Sequence, residues 1–200
     1  MKLGCVLMAA GASVRFGEEN KLLVPFRGEP LYRRAFSAIP RDLFHAVAAV
    51  SHYEEILAAA REEGFLPVYN PAPEDGVSLT VSLGLRALSD ADAAMFLVAD
   101  QPLLSKKTVE ELIAFFLEAP AYIAAPAFGG KRGNPVIFPK AYFSELLALR
   151  GDRGGSAVIK AHPDALRLYP LRDERERFDV DTAEAFSDLS KSTENGGNTP

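Results

Sequence analysis

The chain has 200 residues, 48% hydrophobic and 24% charged, which is enough apolar surface for one globular domain with a sizeable core. Its formal net charge of −5 excludes a general electrostatic attraction for nucleic acid or an anionic membrane, so any phosphate site must be a local basic cluster serving a small anionic ligand. The single cysteine, Cys5, excludes an internal disulfide framework and a cysteine-based zinc site; it is read as core packing, in keeping with a reducing compartment.

The first element is the apolar run from Leu3 to Met8, read as a buried strand. The opening "MKLGCVLMAAGAS" imitates a short secretory signal, but the run is short and the loop behind it needs it as a strand. Further strands are expected at Ala46 to Val50, Leu66 to Tyr69, Met95 to Ala99, Tyr122 to Ala125 and Pro135 to Phe138, with a weaker one at Leu166 to Tyr169. Helical spacing fills the gaps. Tyr53 to Glu63 places Ile56, Leu57 and Ala60 on one face, and Thr108 to Leu117 does the same with Val109, Leu112, Ile113 and Phe116. This alternation predicts one α/β domain over residues 1–190. "AFGGKRGNPVIF" breaks the rhythm with glycines that predict a turn or hairpin, so the sheet is expected to be mixed. Residues 191–200 are polar and lack apolar anchors, and are expected to form a frayed tail. No segment is long enough to span a bilayer as a helix.

The stretch "LMAAGASVRFGEENKLL", Leu7 to Leu23, ends its strand in Ala9, Ala10 and Gly11. Small residues there let a ligand approach backbone amides that can bind phosphate oxygens. Arg15 then offers a planar fork of donors and Lys21 a compact point charge. The loop matches neither GxxxxGK[ST] nor GxGxxG, and by itself it also reads as an ordinary strand-to-helix turn with solvated charges. A second element, "MFLVADQPLL", ends a strand at Asp100. A carboxylate at that edge is a natural ligand for a hydrated Mg2+ that also binds substrate phosphates. A third, "FDVDT", places Asp179 and Asp181 at alternate positions, and Asp181 could reach the same metal or cap a final helix.

Together, "LMAAGASVRFG", "NKLL", "ADQPLL", "GNPVIF" and "FDVDT" resemble the molybdenum cofactor cytidylyltransferases, in order and spacing from residue 7 to residue 182. The resemblance implies a three-layer α/β/α domain with a mixed, mostly parallel sheet of the nucleotide-diphospho-sugar transferase kind. It implies a glycine-rich loop holding CTP, Arg15 and Lys21 on the triphosphate, and Asp100 with Asp181 on Mg2+. The reaction implied is transfer of CMP to the terminal phosphate of the molybdenum cofactor, releasing pyrophosphate. A cytoplasmic enzyme handing its product to a molybdoenzyme, with no nucleic acid or membrane partner, follows from the same resemblance. Related guanylyltransferases usually carry two glycines where Ala9 and Ala10 stand, which points to the cytidylyl form. "NPAPEDGVSLTVSLGL" matches the family's next loop, with Asn70, Gly76, Ser78 and Ser82 near base and ribose; Ser78 alternatively caps the helix that runs through Leu88.

The acceptor side departs from that pattern. Asn134 stands where a histidine is frequent, although its amide still donates and accepts. In "RGDRGGSAVI", Gly155 and Ser156 replace an alanine and an arginine. Arg153 or Lys131 could supply the missing cation, or be solvated loop charges. His45, His52 and His162 show no metal-ligand spacing. Two other readings remain open at this level: a related transferase using GTP or a sugar or polyol phosphate, and a noncatalytic chaperone for the cofactor. Retention of Arg15, Lys21, Asp100 and Asp181 argues against the chaperone.

Overall fold

The computed structural model describes residues 1–11, 16, 20–182, 184–186 and 189. The expected tail at 191–200 therefore lies outside the described residues, as does Arg15. The chain opens with strand β1 (Leu3–Met8), a small ribbon of β2 (Pro25–Phe26) and β3 (Glu29–Pro30), helix α1 (Leu31–Ala38), β4 (Ala46–Ser51), α2 (Glu54–Glu62), β5 (Leu66–Tyr69) and α3 (Val77–Ala87). It continues through β6 (Ala93–Val98), α4 (Lys106–Glu118), β7 (Ile123–Phe128), β8 (Lys131–Arg132), β9 (Val136–Pro139), α5 (Phe143–Ala148), α6 (Gly155–Ala161) and β10 (Leu166–Pro170).

The main sheet runs β10-β7-β9-β6-β1-β4-β5, with β8 paired to β7. β1 lies parallel to β4 on one side and to β6 on the other, which makes the stretch that imitates a signal peptide the centre of the fold. The mixed character comes from β9, antiparallel to both β6 and β7. It is reached through the expected hairpin, in which Gly129 and Gly130 take φ of 56° and 77°. Positive φ at both central residues suits the right-handed twist of the flanking strands, and glycine adopts it without steric cost.

Alternation along the strands sorts side chains to two faces. Leu3, Cys5 and Leu7 of β1 face a core shared with Tyr32 and Phe36 of α1, Ile56 of α2 and Leu112 and Phe116 of α4. Val6 faces the opposite core, with Val81 and Leu85 of α3, Leu146 of α5 and Val158 of α6. The domain is thus a three-layer α/β/α sandwich, each fully buried Leu or Phe contributing about 1.5–3 kcal/mol. Burial pushes the Cys5 thiol pKa up, as befits a packing residue. Where α3 crosses β1 there is no room for a side chain: a Cβ on Gly84 would lie 2.3 Å from Val6 Cγ1.

From β1 the chain winds outward to β4 and β5, then returns to β6 on the far side of β1. That reversal opens a crevice at the carboxyl ends of β1 and β6, the position where open α/β sheets bind ligands. Among the described residues, no helix is long and apolar enough to cross a membrane.

Candidate active site

A cavity of about 650 Å³ occupies this crevice, within the range of small-molecule sites. Its first wall is the end of β1. Ala9 extends the sheet by one residue, donating its amide to the Val50 carbonyl at 2.9 Å and accepting the Ser51 hydroxyl at 2.8 Å. Ala9 is therefore buried in the core, while Ala10 and Gly11 line the cavity. Of the three small residues expected to face a nucleotide, the structure brings two to the site.

The second wall is the start of α3. Gly76, not Ser78, occupies the position before the first helical residue, with φ 90°. A Cβ there would lie 2.4 Å from the Gly151 carbonyl carbon, so glycine is required both for the backbone and for the close approach of the 151 loop. Ser78 falls in the first turn, where its amide donates to the Gly151 carbonyl at 3.1 Å; its side chain is buried and does not line the cavity. Asn70 is fully buried and donates to Thr80 Oγ1 at 3.1 Å, so it orients Thr80, which does reach the cavity. Ser82 lies farther along α3, accepting from Arg86 Nε, and is not part of the wall. The amide end of α3 at Gly76 and Val77 gives this wall a positive potential suited to phosphate.

The third wall carries the charges. Lys21, largely buried, donates from Nζ to Asp100 Oδ2 at 2.6 Å, to the Val180 carbonyl at 2.8 Å and to Asp181 Oδ1 at 3.4 Å. Asp100 follows β6, and its carbonyl accepts the Val180 amide at 2.9 Å. Gln101 reinforces the same junction by donating to Asp179 Oδ1 at 2.7 Å. The helical residues 184–186 are preceded by Thr182, whose Oγ1 accepts the Ala185 amide at 3.1 Å as a cap; Asp181 itself turns to the cavity. Partial desolvation and the nearby Asp100 carboxylate push the Asp179 carboxyl above its ordinary value, against the pull of its Gln101 hydrogen bond.

Glu74 and Asp152 complete the lining, so four carboxylates face this cavity with Lys21 as the cation among the described residues. Sequence reasoning missed Glu74, Asp152 and Thr80, although Asp152 stands inside the noted glycine loop. Such a pocket would repel a bare triphosphate and suits one carried with a divalent cation. Asp100 and Asp181 supply two carboxylate oxygens converging on one point, and Mg2+ is held by one or two carboxylates together with substrate phosphates. Among the described residues, no group of three or more His, Cys, Asp or Glu forms a metal cage.

A smaller cavity of about 170 Å³ adjoins the first, sharing Met8, Val77 and Val98 with it. Asn134 lies here, apart from the triphosphate candidates, with Gly154, Gly155 and Ser156. The cation of this cavity is Arg132; Lys131 and Arg153 are exposed and line neither space. The signal that could have found Arg132 is its position on the hairpin arm directly ahead of Gly133 and Asn134.

The family profile described as the MobA-like NTP transferase domain matches residues 5–166, a span that includes most of β1, Lys21, Asp100 and both cavities' glycine loops. The chain belongs to this family. The purine catabolism protein PucB of Bacillus subtilis (strain 168) is 29% identical over 196 residues, covering 90% of this chain and 92% of its own. A nicotine blue oxidoreductase of Paenarthrobacter nicotinovorans is 28% identical over 189 residues, again with 90% and 92% covered. A probable molybdenum cofactor guanylyltransferase of Natronomonas pharaonis is 29% identical over 109 residues, 54% of each chain. Among solved structures, Rv0371c of Mycobacterium tuberculosis H37Rv superposes with a TM-score of 0.79 at 21% identity, covering 96% of this chain and 98% of its own, and it has also been solved with manganese. A CMP:2-keto-3-deoxy-manno-octonic acid synthetase solved with CTP gives a TM-score of 0.77 at 13% identity, covering 98% and 100%. The fold is that of the nucleotidyltransferases, and the MobA-like domain makes this protein a nucleotidyltransferase.

Proposed function

We propose that this MobA-like protein transfers CMP from CTP to the terminal phosphate of the molybdenum cofactor, releasing pyrophosphate. The observation that carries the reading is the meeting of Lys21, Asp100 and Asp181 beside the amide end of α3, at the crevice between β1 and β6. Ala10, Gly11 and Gly76 leave the backbone open to the triphosphate, and Lys21 offers its ammonium to the phosphate charge. Arg15 is proposed as a second donor to the same charge. Asp100 and Asp181 would hold a Mg2+ brought with the triphosphate, which would supply neutralisation of phosphate charge. In the transfer, an acceptor phosphate oxygen forms a bond to the α-phosphorus as the bond to pyrophosphate breaks, and Lys21 stabilises the charge that develops. Holding two anions together against their repulsion is the main task of the site.

CTP is assigned from Ala9 and Ala10, of which Ala10 stands in the cavity wall. Gly76 is proposed to shape the base and ribose side, with Asn70 acting through Thr80 and Ser78 through its amide hydrogen bond to the Gly151 carbonyl, while Ser82 lies outside this wall. Asn134 is assigned to the acceptor in the adjoining cavity. The reaction suits the cytoplasm, and its product would be consumed by a molybdoenzyme. GTP as donor is the second reading, favoured by the guanylyltransferase named among the relatives.

The test is incubation of the protein with Mg2+, each of the four NTPs and molybdenum-loaded molybdopterin, following pyrophosphate and identifying the product by mass. Product with CTP alone is expected. Product with GTP alone transfers the base assignment to the second reading, and no product with any nucleotide removes the proposed reaction.

A further inference from the structure

The two adjoining cavities differ in charge. The larger is lined by Glu74, Asp100, Asp152 and Asp181, whereas the smaller has Arg132 as its charged lining residue and no carboxylate. Arg132 sits half-buried on β8, and its Nη2 donates to Ser156 Oγ at 2.7 Å. Among the described residues it forms no ion pair, so its partner is a neutral hydroxyl. A guanidinium carries five N–H donors in a fixed fork, and one serine leaves most of them for something else. A partly desolvated cation without a counter-charge is unfavourable, and burial accordingly lowers the Arg132 pKa. An anion entering the cavity would relieve that cost.

Apart from Arg132, Asn134 and Ser156, the side chains of the wall are apolar. Phe96 and Phe138 meet edge to face with ring centroids 5.8 Å apart, flanked by Val81 and Leu146. The volume of about 170 Å³ is near the ~150 Å³ that holds a benzene ring in an apolar cavity. Gly155 lets the Phe138 ring pack directly against the backbone of this wall, since a Cβ there would lie 2.8 Å from Phe138 Cζ.

We propose that the smaller cavity binds a phosphate-bearing ring, with Arg132 taking the phosphate beside the Asn134 amide, Ser156 setting the guanidinium's position, and the ring lying against Phe96 and Phe138. The inference rests on the nucleotidyltransferase reading only in taking this ligand to be the acceptor, which the shared wall at Met8, Val77 and Val98 places next to the nucleotide cavity. The cation expected at position 156 is thus supplied from position 132, across the cavity rather than along the chain.

Phenyl phosphate is the probe, titrated into the full chain without metal or nucleotide and followed by NMR, with phenol and inorganic phosphate as comparators. Phenyl phosphate should bind more tightly than either. Arg132→Gln should weaken it by about tenfold or more, as expected on losing a charge-assisted hydrogen bond, and Arg132→Lys should recover part of the loss. Circular dichroism of both variants should match the parent, since β8 is a two-residue arm at the margin of the sheet. In the transfer assay, Arg132→Gln should raise the KM for the acceptor and leave that for the nucleotide unchanged. Equal binding of phenyl phosphate to parent and Arg132→Gln, or no binding at millimolar probe, overturns the inference. Failure of nucleotidyl transfer with every NTP overturns the proposed reaction instead, and leaves an Arg132-dependent phosphate site standing.

Discussion

Lys21 and Asp100 are 79 positions apart in the chain, and Lys21 Nζ lies 2.6 Å from Asp100 Oδ2 with Asp181 Oδ1 at 3.4 Å. One ammonium thus holds together two carboxylates contributed by segments far apart in the chain that adjoin along one wall of the crevice. The arrangement is self-consistent without ligand: the Lys21 charge is compensated in a largely buried position, and the carboxylates are kept from repelling each other. A metal–triphosphate complex offers both partners a replacement, carboxylates to the metal and ammonium to phosphate.

Replacing Asp100 by Asn should lower kcat by roughly two to three orders of magnitude, the usual scale for losing one charged group aimed at the reacting phosphate. The fold should survive, because Lys21 retains the Val180 carbonyl and Asp181. Pyrophosphate release across a Mg2+ titration, with circular dichroism as control, checks this. Wild-type turnover in the variant would remove Asp100 from the metal assignment.

Lys21→Gln should act in two opposite directions. Turnover and triphosphate affinity should fall, about tenfold or more, while Mn2+ binding to the nucleotide-free protein should tighten, because a cation paired with both Asp100 and Asp181 is gone. Electron paramagnetic resonance of free Mn2+ reads the second effect directly. Unchanged Mn2+ affinity would show that the two carboxylates do not share a metal position with the lysine.

Gly84→Ala places a methyl within 2.3 Å of Val6 Cγ1 at the α3 and β1 crossing. Overpacking of this kind costs about 1–3 kcal/mol, and the midpoint of urea unfolding should fall accordingly. Adding Val6→Ala makes room and should return part of the loss. If the double variant is no better than the sum of its parts, the cost lies elsewhere than in this contact.

Tyr169 on β10 donates its hydroxyl to Glu111 on α4. That hydrogen bond holds the Glu111 carboxyl below its ordinary 4.5, while burial and the same bond push the Tyr169 phenol up to about 12 from 10.0. The glutamate's contribution is present above 4.5 and lost as pH falls through its folded value; the tyrosine's is present below 10.0 and lost as pH rises through about 12. The stability gap between parent and Tyr169→Phe should therefore be widest between these limits and close on both sides. A gap independent of pH would mean that the hydroxyl contributes by packing alone.

Much of the fold was legible because strands and helices are local patterns. Valine-rich runs of four to six residues placed each main-sheet strand except the two-residue β8 within a few positions, and the glycine pair at 129 and 130 announced the antiparallel hairpin. The structure also brings Lys21, Asp100 and Asp181 together; of the three only Asp100 was marked by its place at a strand end, and the other two were given their roles by the resemblance.

What the amino-acid order alone determined is the class of fold, the strand-end loops and the residue types able to manage a triphosphate. Tertiary structure decided which members of those loops face the crevice: Ala10 and not Ala9, because sheet pairing runs one residue past β1, and Thr182 and not Asp181 as the helix cap. It also chose Arg132 over Lys131 and Arg153, because β8 pairs back on β7 and brings position 132 across to Ser156, 24 residues away. Periodicity is written in neighbouring residues, whereas a cavity is enclosed by segments whose approach depends on how the whole sheet is ordered.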